Sequence, residues 1–270
     1  MNSSKIQMEI ANPNRKNEGL RGYGFQLLRF LRTLLPNRTT RRWVGEFMLR
    51  FKQNIPRELM IYPGYIVVQI GTPQTETLRR ISKNIGPTGR ALIVEADETN
   101  IKRLQAWAVT QGCSNLKLVH RAAANRKGEM TFLVSKKWSG NHRLLDETIE
   151  NDNDRLEIEA TGSGFLQVTV MADTVDGICS EHAIDSIDYL EIAINGSEFS
   201  VLSAMPQMLR KTNSLFVKGH SRDKQTGQPI CHAIKNLLEQ NGFKTRLTRT
   251  SKSHVTDWGL REGDVYAWRT

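Results

Sequence analysis

The sequence predicts an α/β protein built on a doubly wound, mostly parallel sheet. From about residue 64 onward, short apolar runs rich in Val and Ile alternate with segments whose apolar residues recur at helical spacing. Gly and Pro punctuate the joins, and repeated strand–helix units require right-handed crossovers that cover both faces of the sheet. A chain of 270 residues is long enough for one principal core with an appendage, and 39% hydrophobic with 24% charged residues is ordinary for a folded protein.

Taken in order, Tyr65-Ile66-Val67-Val68-Gln69-Ile70 reads as the first strand, because an unbroken β-branched run suits a strand covered on both faces. A turn at Gly71-Thr72-Pro73 leads to a helix near Thr75–Ile85, stopped by Gly86-Pro87. Ala91–Glu95 is the second strand, a helix follows near Asn100–Gln111 with Gly112 as its stop, and Leu116–His120 is the third strand. Glu129–Val134 and Leu166–Val170 read as strands around a polar insertion, Trp138–Gly164, which is expected to be a mobile loop. Ile187–Ile194 is the fourth central strand, with a helix over Glu198–Leu209. Leu215–Val217 is a fifth strand, Pro229–Gln240 a helix, and Lys244–Leu247 with Val265–Trp268 form a closing antiparallel pair.

Residues 1–60 are expected to form a basic arm and residues 61–270 the main domain. The arm holds 12 Lys+Arg against 4 Asp+Glu, leaving 26 against 24 for the rest, so most of the net charge of +10 belongs to the arm. Residues 1–24 are polar and read as flexible. Leu27, Leu28, Leu31, Leu34 and Leu35 then recur at helical spacing, and Trp43, Val44, Phe47, Met48 and Phe51 share one face of a second amphipathic segment. Three kinds of partner suit residues 25–52: the main domain or another protein subunit, an anionic membrane surface, and nucleic-acid phosphates. No zinc-finger spacing or aromatic-rich RNA-binding strand backs the last. The start has no apolar signal core and no apolar run reaches about 18 residues, so a cytoplasmic protein is expected, with peripheral membrane association as the alternative. Cys113, Cys179 and Cys231 lie far apart without CxxC spacing, which suits buried free thiols and gives no cluster of metal ligands.

Ligands on doubly wound sheets sit beyond the carboxyl ends of the strands, which directs attention to residues 71–75, 95–97, 120–122, 193–197 and 218–220. A carboxylate ending the second strand can accept hydrogen bonds from both hydroxyls of a ribose, and Glu95 holds that place. His220, at a strand end, is the candidate general base, with His120 and His142 as outside candidates. Glu198 opens a helix, where a capping role and a catalytic one both fit.

In this order the segments from about residue 64 to the end resemble the FkbM-type family of S-adenosylmethionine (SAM) dependent methyltransferases. That family's Asp-x-Gly-Ala-Asn-x-Gly turn is matched by Gln69-Ile70-Gly71-Thr72-Pro73-Gln74-Thr75, where only the first glycine is kept. Its Glu-Pro-Asp corresponds to Glu95-Ala96-Asp97, and its Gly-Asn-Ser-Ser-Leu-type element resembles Gly140-Asn141-His142-Arg143-Leu144. Lys-x-Asp-x-Glu-Gly-x-Glu becomes Glu191-Ile192-Ala193-Ile194-Asn195-Gly196-Ser197-Glu198, and the closing Ile-Glu-x-His becomes Val217-Lys218-Gly219-His220. The resemblance implies a Rossmann-like fold of the SAM-methyltransferase type, SAM as cofactor, and methylation of a hydroxyl on a small or sugar-like (glycan-like) acceptor. It further implies that Gly71, Glu95, Asp97, Gln69 and Asn195 serve the cofactor, that His220 is the base, and that Glu198 orients ligand or base. Gln69, Ala193, Asn195 and Lys218 replace residues that the resemblance makes acidic. A charge-assisted hydrogen bond contributes about 1.5–3 kcal/mol, so SAM binding is expected to be weakened or lost. The alternative expectation is a catalytically inactive methyltransferase fold that acts as a binding or assembly subunit through its basic N-terminal helices.

Overall fold

The computed structural model describes residues 59–71, 74–136, 142–145, 149–150, 165–219, 221–223, 225–249 and 262–269. The arm expected over residues 1–60 lies outside them except for Leu59 and Met60. In chain order the elements begin with β1 (Ile66–Ile70), α1 (Thr75–Ile85), β2 (Arg90–Glu95), α2 (Glu98–Thr110) and β3 (Leu116–His120). There follow β4 (Ala122–Ala123), β5 (Gly128–Ser135), β6 (Arg143–Leu144), β7 (Ile149–Glu150) and β8 (Phe165–Asp173). The remainder comprises α3 (Val175–Glu181), β9 (Ile187–Ile192), α4 (Glu198–Ser203), α5 (Pro206–Arg210), β10 (Thr212–Lys218), β11 (Arg222–Asp223), α6 (Ile230–Gln240), β12 (Lys244–Arg249) and β13 (Glu262–Trp268).

Seven strands form the central sheet in the order β3-β2-β1-β9-β10-β13-β12, parallel except for β13, which runs antiparallel to both of its neighbours. The chain thus winds outward from β1 to β3, returns to the centre at β9, and winds the other way. This is the Rossmann-like, doubly wound arrangement expected from the sequence. The β-branched runs fill its interior: Val67, Val68, Ile93, Ile187 and Ile192 have no accessible surface. Helix α1 buries Leu78, Ile81 and Ile85, a stripe at helical spacing that packs one face of the helix and leaves the other to water. Beyond α5 and β10, Arg269 acts as a clamp. Its guanidinium donates to the carbonyls of Thr212, Asn241 and Leu209 at 3.0, 2.8 and 3.1 Å and lies over the Phe243 ring at 4.0 Å.

A four-stranded sheet, β4-β8-β5-β6, grows from the end of β3, since only Arg121 separates β3 from β4. Its own core joins Ala122, Phe132, Leu144, Val170 and Ala172. Part of the insertion expected as a loop over Trp138–Gly164 is therefore strand: β6 pairs with β5 through Phe132↔Leu144, and β7 pairs with β11. The backbone groups of those residues find partners in the ladder instead of water. The rest of that insertion, apart from His142 and Leu145, falls outside the described residues.

Two further differences have local causes. The helix expected over Glu198–Leu209 is broken, with α4 ending at Ser203 and α5 starting at Pro206. Proline has no N–H to continue a helix but suits a first turn, so the apolar periodicity runs on while the helix does not. Helix α3 has no counterpart in the sequence reading, because seven residues carry too few turns to establish a period. Its mark is Thr174, whose hydroxyl accepts from the Gly177 N–H at 3.0 Å as an N-cap.

Candidate functional site

The strand order reverses between β1 and β9, and a cavity of about 810 Å³ lies at the carboxyl ends of the strands there. That falls within the ~300–1,000 Å³ of small-molecule sites. Gln69, Glu95, Glu191, Ala193 and Lys218 line it from the central sheet, and Phe132, His142 and Leu144 from the side sheet. Parallel register sets Gln69 beside Glu191 and beside Ile93, so one face of three adjacent strands leads into the cavity.

At the β2 end, Glu95 is 2% exposed, and its Oε1 accepts the Asp97 N–H at 2.7 Å. This folds the Glu95-Ala96-Asp97 turn around its own carboxylate. The Asp97 side chain serves the next helix instead. Its Oδ1 accepts the Asn100 N–H at 2.6 Å and caps α2, where a negative charge also suits the positive end of the helix. Asp97 is therefore set behind the Glu95 turn, and the cavity lining there is Glu95 and Ala96.

At the β1 end, Gln69 is 1% exposed, and its Oε1 has no hydrogen-bond partner among the described residues. An unsatisfied buried acceptor costs about 1–3 kcal/mol, so such an atom facing a cavity marks a place for a donor. Gly71 follows with φ of 93°, and a Cβ there would run into the Ala193 carbonyl. Its N–H donates to Val94 O at 3.0 Å, while the Ala193 N–H donates to Ile70 O at 2.9 Å. Glycine at this position lets the ends of β1, β2 and β9 close up where a side chain would wedge them apart. Thr72 and Pro73 lie outside the described residues.

At the β9 end, Asn195 and Gly196 both take positive φ, 58° and 130°. The bend is held by Glu198, which is fully buried. Its Oε2 accepts the Gly196 N–H at 2.8 Å and its Oε1 the Ile194 N–H at 3.4 Å. Asn195 and Ser197 line the cavity from this bend, and Asn195 Nδ2 donates to the His142 carbonyl at 3.2 Å. Tyr189 Oη bonds Glu191 beneath it; burial first, and the Glu191 charge second, hold that phenol well above its ordinary pKa.

The FkbM methyltransferase domain model matches residues 67–245. This chain belongs to the FkbM methyltransferase family. No curated protein matches it. Among solved structures it is similar to fibrillarin from Aeropyrum pernix with natively bound S-adenosyl-L-methionine, at 13% identity over 82% of this chain and 74% of that one, TM-score 0.46. It is also similar to precorrin-6y C5,15-methyltransferase from Geobacter metallireducens, at 10% identity over 78% and 85%, TM-score 0.43. A third is the O-methyltransferase TomG from Streptomyces achromogenes, involved in tomaymycin synthesis and in complex with SAM, at 8% identity over 76% and 73%, TM-score 0.41.

Against the FkbM pattern, Gln69, Ala193, Asn195 and Lys218, the four positions without the expected acids, all line the one cavity. So do Gly71 and Glu95, whereas Asp97 and Glu198 hold the turns behind it. His220 lies outside the described residues, and His120 is exposed, with Nε2 3.0 Å from the Ala96 carbonyl. His142, an outside candidate in the sequence, is brought into the lining. Sequence reading missed Arg103, Phe132 and Leu144. Arg103 needed the helical phase of α2, and the other two needed the pairing of the side sheet. Arg103, Arg121 and Lys218 put more positive than negative charge among the described lining residues, whose acids are Glu95 and Glu191. No group of three or more potential ligand side chains converges on a metal position among the described residues. Nor, among them, is any helix long and apolar enough to cross a membrane.

Proposed function

We propose that this cavity binds SAM and that the chain transfers a methyl group to a hydroxyl of a small or sugar-like acceptor. One observation carries the reading: the buried Oε1 of Gln69, which has no hydrogen-bond partner among the described residues, and the carboxylate of Glu95 line the same cavity at adjacent strand ends. The SAM ammonium is a donor of the kind Gln69 lacks, and the ribose hydroxyls are donors of the kind a strand-end glutamate accepts. The residues therefore fit the cofactor. When bound, SAM supplies a methyl group activated on a sulfonium.

The chain's own residues supply the rest. Gly71 keeps the strand ends close, Asn195 and Ser197 shape the wall beside the reacting centre, and Glu198 holds that bend in place. An alcohol is a poor nucleophile until its proton is removed, and His220, following β10, is the base in this reading. Calorimetric titration of the folded protein with SAM and its demethylated product tests the binding step. Heat from both is expected, and none at millimolar ligand would overturn it.

A second reading is a silent methyltransferase fold that acts as an assembly subunit, docked on a protein or an anionic membrane through residues 25–52. The cationic lining from Arg103, Arg121 and Lys218 favours it, because a sulfonium is repelled there. A folded protein that neither binds SAM nor methylates any hydroxylated acceptor is its signature, and equal liposome flotation with and without residues 1–60 would remove the membrane version.

A further inference from the structure

His142 stands at the meeting point of three elements. Its Nδ1 accepts the Ser135 N–H of β5 at 2.8 Å, its carbonyl accepts from Asn195 after β9, and its Nε2 lies 3.8 Å from Asp97 Oδ2 after β2. The ring is 8% exposed and packs edge-on against Phe132, with centroids 6.2 Å apart. A backbone N–H can only donate, so Nδ1 carries no proton and the neutral ring holds its hydrogen on Nε2, on the Asp97 side. That argues against His142 as a general base. The nitrogen that would receive a proton is occupied by the main chain, and the other already holds one.

The contacts behind Asp97 lead to the candidate ribose site in two steps. Asp97 presents Oδ2 to His142 and Oδ1 to the start of α2, while its N–H holds Oε1 of Glu95. We infer that His142 is a positioning residue for the cofactor, acting through Asp97 on the carboxylate of Glu95 and through Asn195 on the opposite wall. This role rests on the proposal that the cavity binds SAM. At 3.8 Å the Nε2–Asp97 approach is too long for a hydrogen bond, and the inferred role requires that ligand binding shorten it, as catalytic-site polar contacts commonly tighten with ligand bound. The family's serine at this position is too short to span the same gap, so the brace belongs to this chain's own departure from the pattern.

A double-mutant cycle tests this. His142→Asn keeps an acceptor near Nδ1 for Ser135 but withdraws the donor from Asp97, and Asp97→Asn keeps both the cap oxygen and the backbone N–H. Calorimetry with SAM is expected to show each single variant weakened about tenfold and the double variant no weaker than either, the non-additivity of one shared contact. A melting curve of each variant separates lost binding from lost folding. Wild-type affinity in His142→Asn, or fully additive losses in the double variant, would overturn the inference while leaving the SAM reading intact. No heat from the folded wild type would instead end the SAM reading and the cofactor role of His142 with it. Nitrogen-15 spectra of the imidazole give an independent readout: the Nε2–H tautomer is expected, and a proton on Nδ1 overturns the geometry.

Discussion

The two ends of the cavity are built differently. At the β2 end the carboxylate is enclosed, held by a main-chain N–H and backed by an acid that caps a helix. At the β10 end, Lys218 is exposed and stands where the family pattern has an acid. Strands are spaced at about 4.8 Å, so Glu95 and Lys218 are separated by three strand spacings, roughly 14 Å. A cationic ligand is thus offered a preorganised acceptor at one end and a distant like charge at the other. The difference teaches that two strand ends of one sheet can present their charges in different ways: the Glu95 carboxylate is tied by a hydrogen bond into the turn beyond its strand, whereas the Lys218 side chain at the end of β10 reaches solvent.

The contrast breaks most completely at the join. Gly71→Ala forces a Cβ against the Ala193 carbonyl at a backbone angle that side chains avoid, and a loss of about 2–5 kcal/mol is expected. Denaturant titration reads it, and a midpoint unchanged from wild type would mean the strand ends are not closed as described. Next in size, Glu95→Ala is expected to weaken SAM binding about 10- to 100-fold, the worth of a charge-assisted hydrogen bond. An unaltered Kd would move the ribose elsewhere. Smaller still, Lys218→Gln is expected to tighten SAM about two- to fivefold while leaving the uncharged-sulfur product nearly as it was, because the ammonium and carboxylate common to both ligands oppose each other and the sulfonium charge is what distinguishes them. Equal changes for both ligands would break the electrostatic contrast.

The smallest effect concerns the part of the molecule under the β9–β10 end. Burial first, then Asp264, pushes the Tyr266 phenol up to about 12, burial raises the Cys179 thiol to about 12, and Tyr189 is held well above its ordinary value. All three folded pKa values are raised. The unfolded chain therefore gives up these protons first, and the stability they contribute is present below about pH 9 and lost as pH climbs toward 12. Urea midpoints measured from about pH 8 upward should fall steadily, and a flat profile would show these groups to be solvated.

Much of the scaffold was legible because its signals are local. The β-branched run ending in Ile70, the stop at Gly112 and the pairing of Lys244–Leu247 with Val265–Trp268 each follow from residues close in the chain or from alternation along a strand. The cavity wall was legible where it sits on the central strands or just beyond their ends, which is why Gln69, Gly71, Glu95, Asn195 and Lys218 could be placed. Phe132 and Leu144 meet across a pairing that spans a polar insertion, and no local pattern encodes that register. The types of Asp97 and Glu198 suit a ligand, and for Glu198 a capping role fits the sequence equally well. Hydrogen bonds to backbone N–H groups two to four residues away draw both of them into turns.

Among the described strands, β13, the last in sequence order, does not lie at the edge of the sheet. Since β13 separates β12 from β10, residues 244–249 have no neighbour to zip onto until residues 262–268 have left the ribosome. That flank of the sheet stays open until β13 is in place. Anything that delays or removes those seven residues costs the fold two strands at once.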